Sequence, residues 1–592
     1  MKEITKKGLA LGILIAFLSM SLPTLVASQQ QKQVVTLPAE MDPGWKRYFE
    51  NSDFDGDGVL YIYDRYLGRD DNTIDYRRKQ GGTLKWMSAD LSTLDPIMIT
   101  DTASSALASK IFEGLVQFVP AKTDVMPCLA KAWEIGEGGK VYTFYLRDGV
   151  KFHDGSTLDA DDVIYSFERF LDPSHASKRI MFGEYIDHIE KVNDYTVRIH
   201  LHEPFAPFLA LLTYNCYYIL PREYTQANER YEEGRWIRDW FEKPIGTGPF
   251  KFEYWNPGAG WKVNAFDDHW EGRPYLDSMQ VIVQEEDETR IQAFKADQIQ
   301  RTGVPSSHWE EFTTQSPYKD NLLNVVTLAS YWYELNCAEW PFNNTQIRQA
   351  VACALDREGV LETVFKGRNI PSHGPIPPGL LGYSQELYDS YEYTHNPEKA
   401  RALLDQAGAI DTNGDGVREY QGKPLEFEIS AYVSDVWKEG AKTFQANLRD
   451  VGIKVRYQEY DFNTIIDMTE SGDFTMCSLG WIMDYPDPEN FLFLWETEEE
   501  EVPGVRYVNS CRWSDPKVDE NVHKLRVMVD PQARAKLSAE TEKIIRDAHP
   551  HIWFYHPRGT TCIQPYVHEW IYGPAGGHVE KFLGTWIEPT HR

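Results

Sequence analysis

The sequence predicts an α/β protein of several lobes, and three observations carry that expectation. Strand-type and helix-type periodicities alternate from Gly81 onward. Residues 425–431 and 453–457 are β-rich runs flanking a helical pattern at 437–448, a β-α-β unit that belongs in an α/β lobe. A chain of 592 residues is also too long for one hydrophobic core, and its length corresponds to roughly three or four domains.

Taken in order, residues 81–89 (GGTLKWMSA) alternate as a strand, and LSTLDP follows as a turn. Residues 103–115 have helical spacing, and 140–146 (KVYTFYL) alternate as a strand. Asp159, with Asp162 three positions on, predicts a capped helix with Val163, Phe167 and Phe170 on one face. A strand over 194–201 and a short apolar helix over 204–212 come next. The segment PIGTGPF (244–250) is a rigid turn with two glycines and lacks the Lys-Ser/Thr pair of a phosphate loop. A strand is expected at 251–254 and another at 276–283, then a helix at 288–296 and a strand at 331–336. From Ile347 to Phe365 one continuous apolar stripe predicts a single long helix. Pro375–Gly379 breaks the chain. Asn396-Pro397 starts a helix with Leu403 and Leu404 inward and Gly408 past its end. Residues 531–547 are helical, and 551–555 form an aromatic strand.

One stretch, LGWIMDYPDPENFLFLW (479–495), concentrates chemistry. Pro486 and Pro488 cannot donate to a ladder and bias Tyr485 and Asp487 away from helix, so an irregular loop is expected after a strand at 474–479. Asp484, set between Trp481 and Tyr485, would put a carboxylate in an apolar wall, where an unpaired charge is costly unless a cation arrives. The competing reading is a surface turn whose aromatics pack into the core.

Composition bounds the rest. Hydrophobic residues make up 42% and aromatics 13%, enough for globular folding, while 90 acids against 60 bases give a net charge of -30. That charge repels nucleic-acid phosphates and excludes nucleic acid as a partner class. Lys2, Lys6 and Lys7, an apolar run to Met20, and Val26-Ala27-Ser28 read as an export signal over residues 1–28, with an uncleaved anchor as the alternative. Seven cysteines without CxxC spacing leave at least one thiol unpaired. Residues 29–81 form an extension in which Asp53, Asp55, Asp57 and Asp64 follow calcium-loop spacing; an acidic Gly-rich turn and a structural Ca2+ site are the two readings, and no cofactor is otherwise required. A second such stretch, Asp411 to Gly416, reads as a hairpin turn. There is no HExxH, GxSxG or P-loop, and His549, His551 and His556 read as packing residues, so no catalytic constellation is present.

The ordered segments LAKAWEI…VYTFYLRDGVKFHDGSTLDADDVIYSFERFLDP (129–173), PIGTGPFKF (244–252), PFNNTQIRQAVACALDREGVLETVFKGRNIPSHGPIPPG (341–379), NPEKARALLDQAGAIDTNGDGVREYQGKPL (396–425) and GWIMDYPDPENFL (480–492) resemble the family-5 extracellular solute-binding proteins of ABC transporters, the dipeptide- and oligopeptide-binding group. The resemblance implies a periplasmic-binding-protein-like clamp of two large lobes and a smaller third. It places one lobe in residues 82–118, 203–335 and 556–592, the small lobe in 119–202 and the last lobe in 336–555. It implies hinges near Leu335-Asn336 and Phe554-Tyr555. By position Asp484 becomes the anchor of a ligand's α-ammonium, with Trp481, Tyr485 and Asn336 as further ligand-binding residues, while Asp487 and Glu489 face solvent or neighbouring backbone. The family disulfide near these positions is expected to be absent. The implied partners are a peptide ligand and ABC permease subunits, the implied state is an exported monomer, and the implied activity is binding. A non-peptide ligand (sugar, nickel or haem) and a secreted peptide hydrolase are the alternatives.

Overall fold

The computed structural model describes residues 33–34, 79–119, 122–497, 508–570, 572–576 and 580–592. The export signal, nearly all of the extension and the calcium-loop residues Asp53, Asp55, Asp57 and Asp64 lie outside the described residues. Among the described residues no helix is long and apolar enough to cross a membrane.

Three sheets organise the chain. The first lobe is built on seven strands in the order 250–256, 260–265, 278–283, 83–88, 301–303, 558–563 and 322–326. Its centre is parallel, Ser278–Val283 beside Thr83–Ser88, and its flanks are antiparallel. The small lobe is an antiparallel sheet of Ala130–Gly136, Val141–Leu146, Thr196–Leu201 and Ile186–Asn193, joined at one edge by Gln33–Val34. The third lobe is a six-stranded sheet in the order 370–371, 551–556, 329–335, 476–482, 426–432 and 454–460. Its Glu426–Tyr432 and Lys454–Tyr460 strands run parallel, with helix Asp435–Asp450 between them in sequence, as the β-α-β pattern requires.

Local signals explain several elements. Helix Ala160–Leu171 starts at a capping box in which Asp159 and Asp162 each accept from the other's backbone region, and it buries Val163, Phe167 and Phe170. Asn396 caps helix Pro397–Gln406 by accepting from the Lys399 amide. The glycines of PIGTGPF serve close approach: a Cβ on Gly246 would lie 2.1 Å from the Ile111 carbonyl oxygen, and one on Gly248 would lie 2.5 Å from that of Lys110. The turn is therefore pressed against the C-terminal end of helix Thr102–Ile111.

Four expectations are corrected. The apolar stripe from Ile347 to Phe365 is carried by two helices, Thr345–Ala354 and Arg357–Phe365, because Leu355 is extended and Asp356 accepts from the Gly359 amide as a new cap. Residues 479–482 still belong to strand Met476–Ile482, and Glu489–Leu492 forms a helical turn, so the irregular stretch is confined between them. Phe205, Phe208, Leu211 and Leu212 pack into the small-lobe core rather than the first lobe. Finally, the chain crosses between the large sheets at Thr327–Leu328 and at Pro557. Leu335, Phe554 and Tyr555, expected at hinges, sit inside third-lobe strands with side chains in that lobe's core.

A cavity at the border of the lobes

The candidate site grows from strand Met476–Ile482, which pairs antiparallel with Ala329–Leu335 and places Ser330 opposite Trp481. Beyond Ile482 the Met483 amide donates to the Leu328 carbonyl, 3.0 Å, so the loop leaves the sheet beside the first crossing. Buried Asn490 then fixes the next turn: its Oδ1 accepts from the Asp484 amide at 2.9 Å and from the Trp481 indole at 3.3 Å. One amide thus holds the Trp481 indole and the backbone of Asp484.

Asp484 and Trp481 line a cavity of about 200 Å³ together with Tyr331, Trp332, Phe462 and Arg179. Arg179, from the small lobe, brings its Nη1 to 3.7 Å from Asp484 Oδ1. The expected carboxylate without a cation is therefore corrected: a guanidinium faces it. The separation is that of an ion pair longer than a hydrogen bond. Arg179 also lies over the Tyr214 ring, 5.2 Å from its centroid. Burial, with Asp484 adding to it, pushes the Tyr214 phenol well up, so it stays neutral.

The other expected ligand residues do not line this cavity. Tyr485 is buried, inserts edge-on between Phe182 and Phe205 of the small lobe, and donates to Glu489 at 2.6 Å. Asn336 is buried and spends its amide on the Gly472 and Phe474 carbonyls, at 2.9 and 3.3 Å. Both are structural. Asp487 and Glu489 are likewise buried and not turned to solvent. Asp487 takes both oxygens to Arg534, and Glu489 pairs with Arg526 at 2.8 Å. Such charges are tolerated inside because each is paired and hydrogen-bonded.

Sequence reasoning missed Glu334 and His551 on the cavity floor. Their closest N···O approach is 3.9 Å, and the His551 ring stacks on Trp332 at 4.8 Å. Burial holds His551 well below the usual histidine range, so it is neutral. An acid inside the apolar strand ASYWYEL was the signal that could have pointed there. All seven cysteines are buried free thiols.

Two carboxylate groupings could be considered for a cation. Buried Glu113, His269 and Glu271 converge, but the Lys581 ammonium pairs with Glu113 and lies 3.6 Å from Glu271, so a protein cation already occupies that position. Exposed Asp411 and Asp415 and half-buried Glu419 converge in a loop closed by the antiparallel bridge from Ile410 to Glu419. Asp411 there accepts from the Gly414 and Gly416 amides, which is turn chemistry.

Two large lobes on separate sheets, joined by two short crossings, with a cavity where the third lobe meets the small one, give the architecture of a clamp-type binding protein. The chain belongs to the bacterial extracellular solute-binding proteins, family 5, whose middle-region model matches residues 124–501. It is 31% identical over 473 residues to di/tripeptide-binding protein 2 of Pseudomonas aeruginosa, covering 76% of this chain and 85% of that protein. It is 28% identical over 518 residues to heme-binding protein A of Haemophilus influenzae, covering 83% and 89%. Among solved structures it is similar to the periplasmic binding protein DppA of Helicobacter pylori in complex with the peptide STSA, with a TM-score of 0.72 and 27% identity, covering 86% of this chain and 99% of that one.

Proposed function

We propose that this protein is an exported peptide-capturing component of an ABC transporter, which encloses its ligand between the first and third lobes and delivers it to permease subunits. The observation that supports this reading above others is the position of Asp484, on the wall of the border cavity and beside the first crossing. A peptide's α-ammonium would replace or join Arg179 at that carboxylate. The exchange is chemically even, one cation for another, so the folded protein need not leave Asp484 unpaired in either state. Trp481 and Trp332 supply apolar walls for a first side chain. The crossings at Thr327–Leu328 and Pro557 serve as the hinge. The similarity to proteins named for di- and tripeptide or peptide binding supports this ligand class.

Calorimetry with a synthetic tripeptide library, free and N-acetylated, tests the reading. Acetylation, or the substitution Asp484→Asn, should each weaken binding by roughly tenfold or more, the scale of a charge-assisted hydrogen bond. Equal affinity for free and acetylated peptides would sink the ammonium assignment. Co-purification of haem or a metal in place of peptide would shift the ligand class.

A further inference from the structure

We propose that Cys337 and Cys511 form a disulfide when the chain meets an oxidising compartment, and that this bond ties the wall of the Asp484 cavity to the third-lobe sheet. The compartment rests on the export reading above; the pairing rests on geometry. Cys337 lies two positions beyond strand Ala329–Leu335, and its amide donates to the Cys511 carbonyl at 2.8 Å. In a ladder such a bond accompanies a Cα separation of about 5.5 Å, within the span that a disulfide bridges. The two thiols are themselves in hydrogen-bonding contact, and both side chains are buried.

Each backbone is fixed on its own side. Beside Cys337, the Asn336 amide donates to the Gly472 and Phe474 carbonyls. Around Cys511, Asn509 donates to the Glu496 and Trp513 carbonyls at 3.1 and 2.7 Å, and the Arg512 guanidinium donates to those of Thr469, Glu470 and Ser510. The fold therefore holds the two thiols together. The other five have different neighbours. Cys128 lies 3.8 Å from Glu113 and 3.4 Å from the Lys581 ammonium, and Cys562 reaches the Tyr318 carbonyl at 3.6 Å. Cys477 stands opposite Glu334 across the ladder. The charges acting on Cys216 are Arg179 and Asp484, and those acting on Cys353 are Lys399 and Arg357. The bond is also distinct from the family disulfide, which would end beside Asp484, since Cys511 stands 27 positions further on.

Cys511 lines the Asp484 cavity with Val508 and Ser510. A bond to Cys337 closes a loop of 174 positions, and a loop of that length strongly restrains the unfolded chain. The chemistry balances with a disulfide of the glutathione class as oxidant. One cysteine thiolate attacks it and expels one thiol, and the second cysteine then displaces the other, each proton passing to the thiol that leaves. Burial, with the Cys337 thiol and Glu334 adding to it, holds Cys511 well above the usual thiol range. The closed pair is therefore protonated and slow to react, so the bond forms as the chain folds or opens and is shielded once made.

The test uses the full chain, purified under reductant and held in oxidised glutathione until its thiol count is constant, then unfolded and alkylated. The count should fall from seven to five, and peptide mapping should find one cross-link, joining Cys337 to Cys511. A count that stays at seven, glutathione left on either residue, or a cross-link elsewhere overturns the proposal. Reductant should lower the melting temperature of the oxidised protein by roughly 5 °C or more. Cys511→Ser should keep six thiols through the same treatment, and its melting should ignore reductant. A variant that still responds to reductant overturns the assigned restraint. Protein isolated from its own cells and alkylated on lysis should already carry the cross-link. If it carries none while glutathione forms one, the export reading is what fails.

Discussion

The small lobe has two borders, and they are built differently. Against the first lobe it is joined by a buried ionic cluster. Arg169, on the small-lobe helix, donates to Asp95 at 2.9 and 2.7 Å and to Glu229 at 3.1 Å. Tyr165 and Trp240 also donate to Glu229, and the Arg238 guanidinium stands 2.7 Å from Asp95. Against the third lobe it has the 3.7 Å pair of Arg179 with Asp484, the Tyr485 ring between Phe182 and Phe205, and one backbone bond from Ala206 to Arg526. One border is densely paired and fixed; the other is sparse and lies on the cavity. The difference teaches where ligand energy can act. A seam whose carboxylates are each held by several donors offers a ligand little, whereas a loosely paired acid can exchange partners.

Arg169→Leu should show the largest effect. It leaves Asp95 and Glu229 buried with their main cation gone, and removing one partner of such a group costs about 3–5 kcal/mol. Thermal and denaturant unfolding should both show a large loss, while Asp484→Asn should reduce peptide affinity and change melting little. If Arg169→Leu melts like the unaltered protein, the first border is not the fixed one.

Acid should separate the borders next. Burial lowers His373 and His556 to about 4 and His549 to about 3, and holds His551 further down, all in the third lobe. Each is neutral when folded and takes a proton near 6.5 when unfolded, so its stabilisation is complete above 6.5 and is lost as the pH falls toward 4. Glu542 opposes this: burial raises it to about 8, so it favours the folded state more as the solution is acidified from 8 to 4.5. Four histidines outweigh one acid. The first border carries one such histidine, His175, at about 4. Although burial raises Asp95, Arg169 and Arg238 overcome that and hold it below the usual carboxylate range, so its contribution persists until the pH falls below 3.8. Hydrogen exchange corrected for intrinsic rates, followed from pH 7 to 4.5, should therefore loosen strand His551–His556 before helix Ala160–Leu171. Equal loosening would break the distinction.

What could be read from the sequence was what is local or ordered. The capping box at Asp159 and Asp162, the parallel β-α-β unit and the placement of Asp484 and Trp481 on the cavity all follow from short-range pattern or motif order. The errors come from quantities that spacing does not encode. Leu322–Val326 and Ala329–Leu335 are two β-rich runs separated by two residues, and nothing in them says that the chain changes sheets between. Tyr485 and Asn336 lie near the site in sequence, yet which face a loop residue presents depends on partners such as Glu489, Gly472 and the small-lobe phenylalanines. Arg179 stands 305 positions before Asp484, and only folding brings the two to the same border.

The smallest expected effect is the one that most sharpens the comparison. Arg179→Gln removes the guanidinium that faces Asp484, but the pair is long, and its side chains keep 17% and 11% of their exposure at the edge of a cavity. Water can therefore replace part of what the guanidinium supplies, and the loss of stability should be about 1 kcal/mol or less. Peptide affinity should hold or rise, since the ligand ammonium no longer competes with an internal cation. A destabilisation as large as that of Arg169→Leu would mean that Arg179 and Asp484 form a structural bond. The third-lobe border would then be fixed in the same way as the first, and exchange of partners at Asp484 would not be the route by which a ligand closes the cleft.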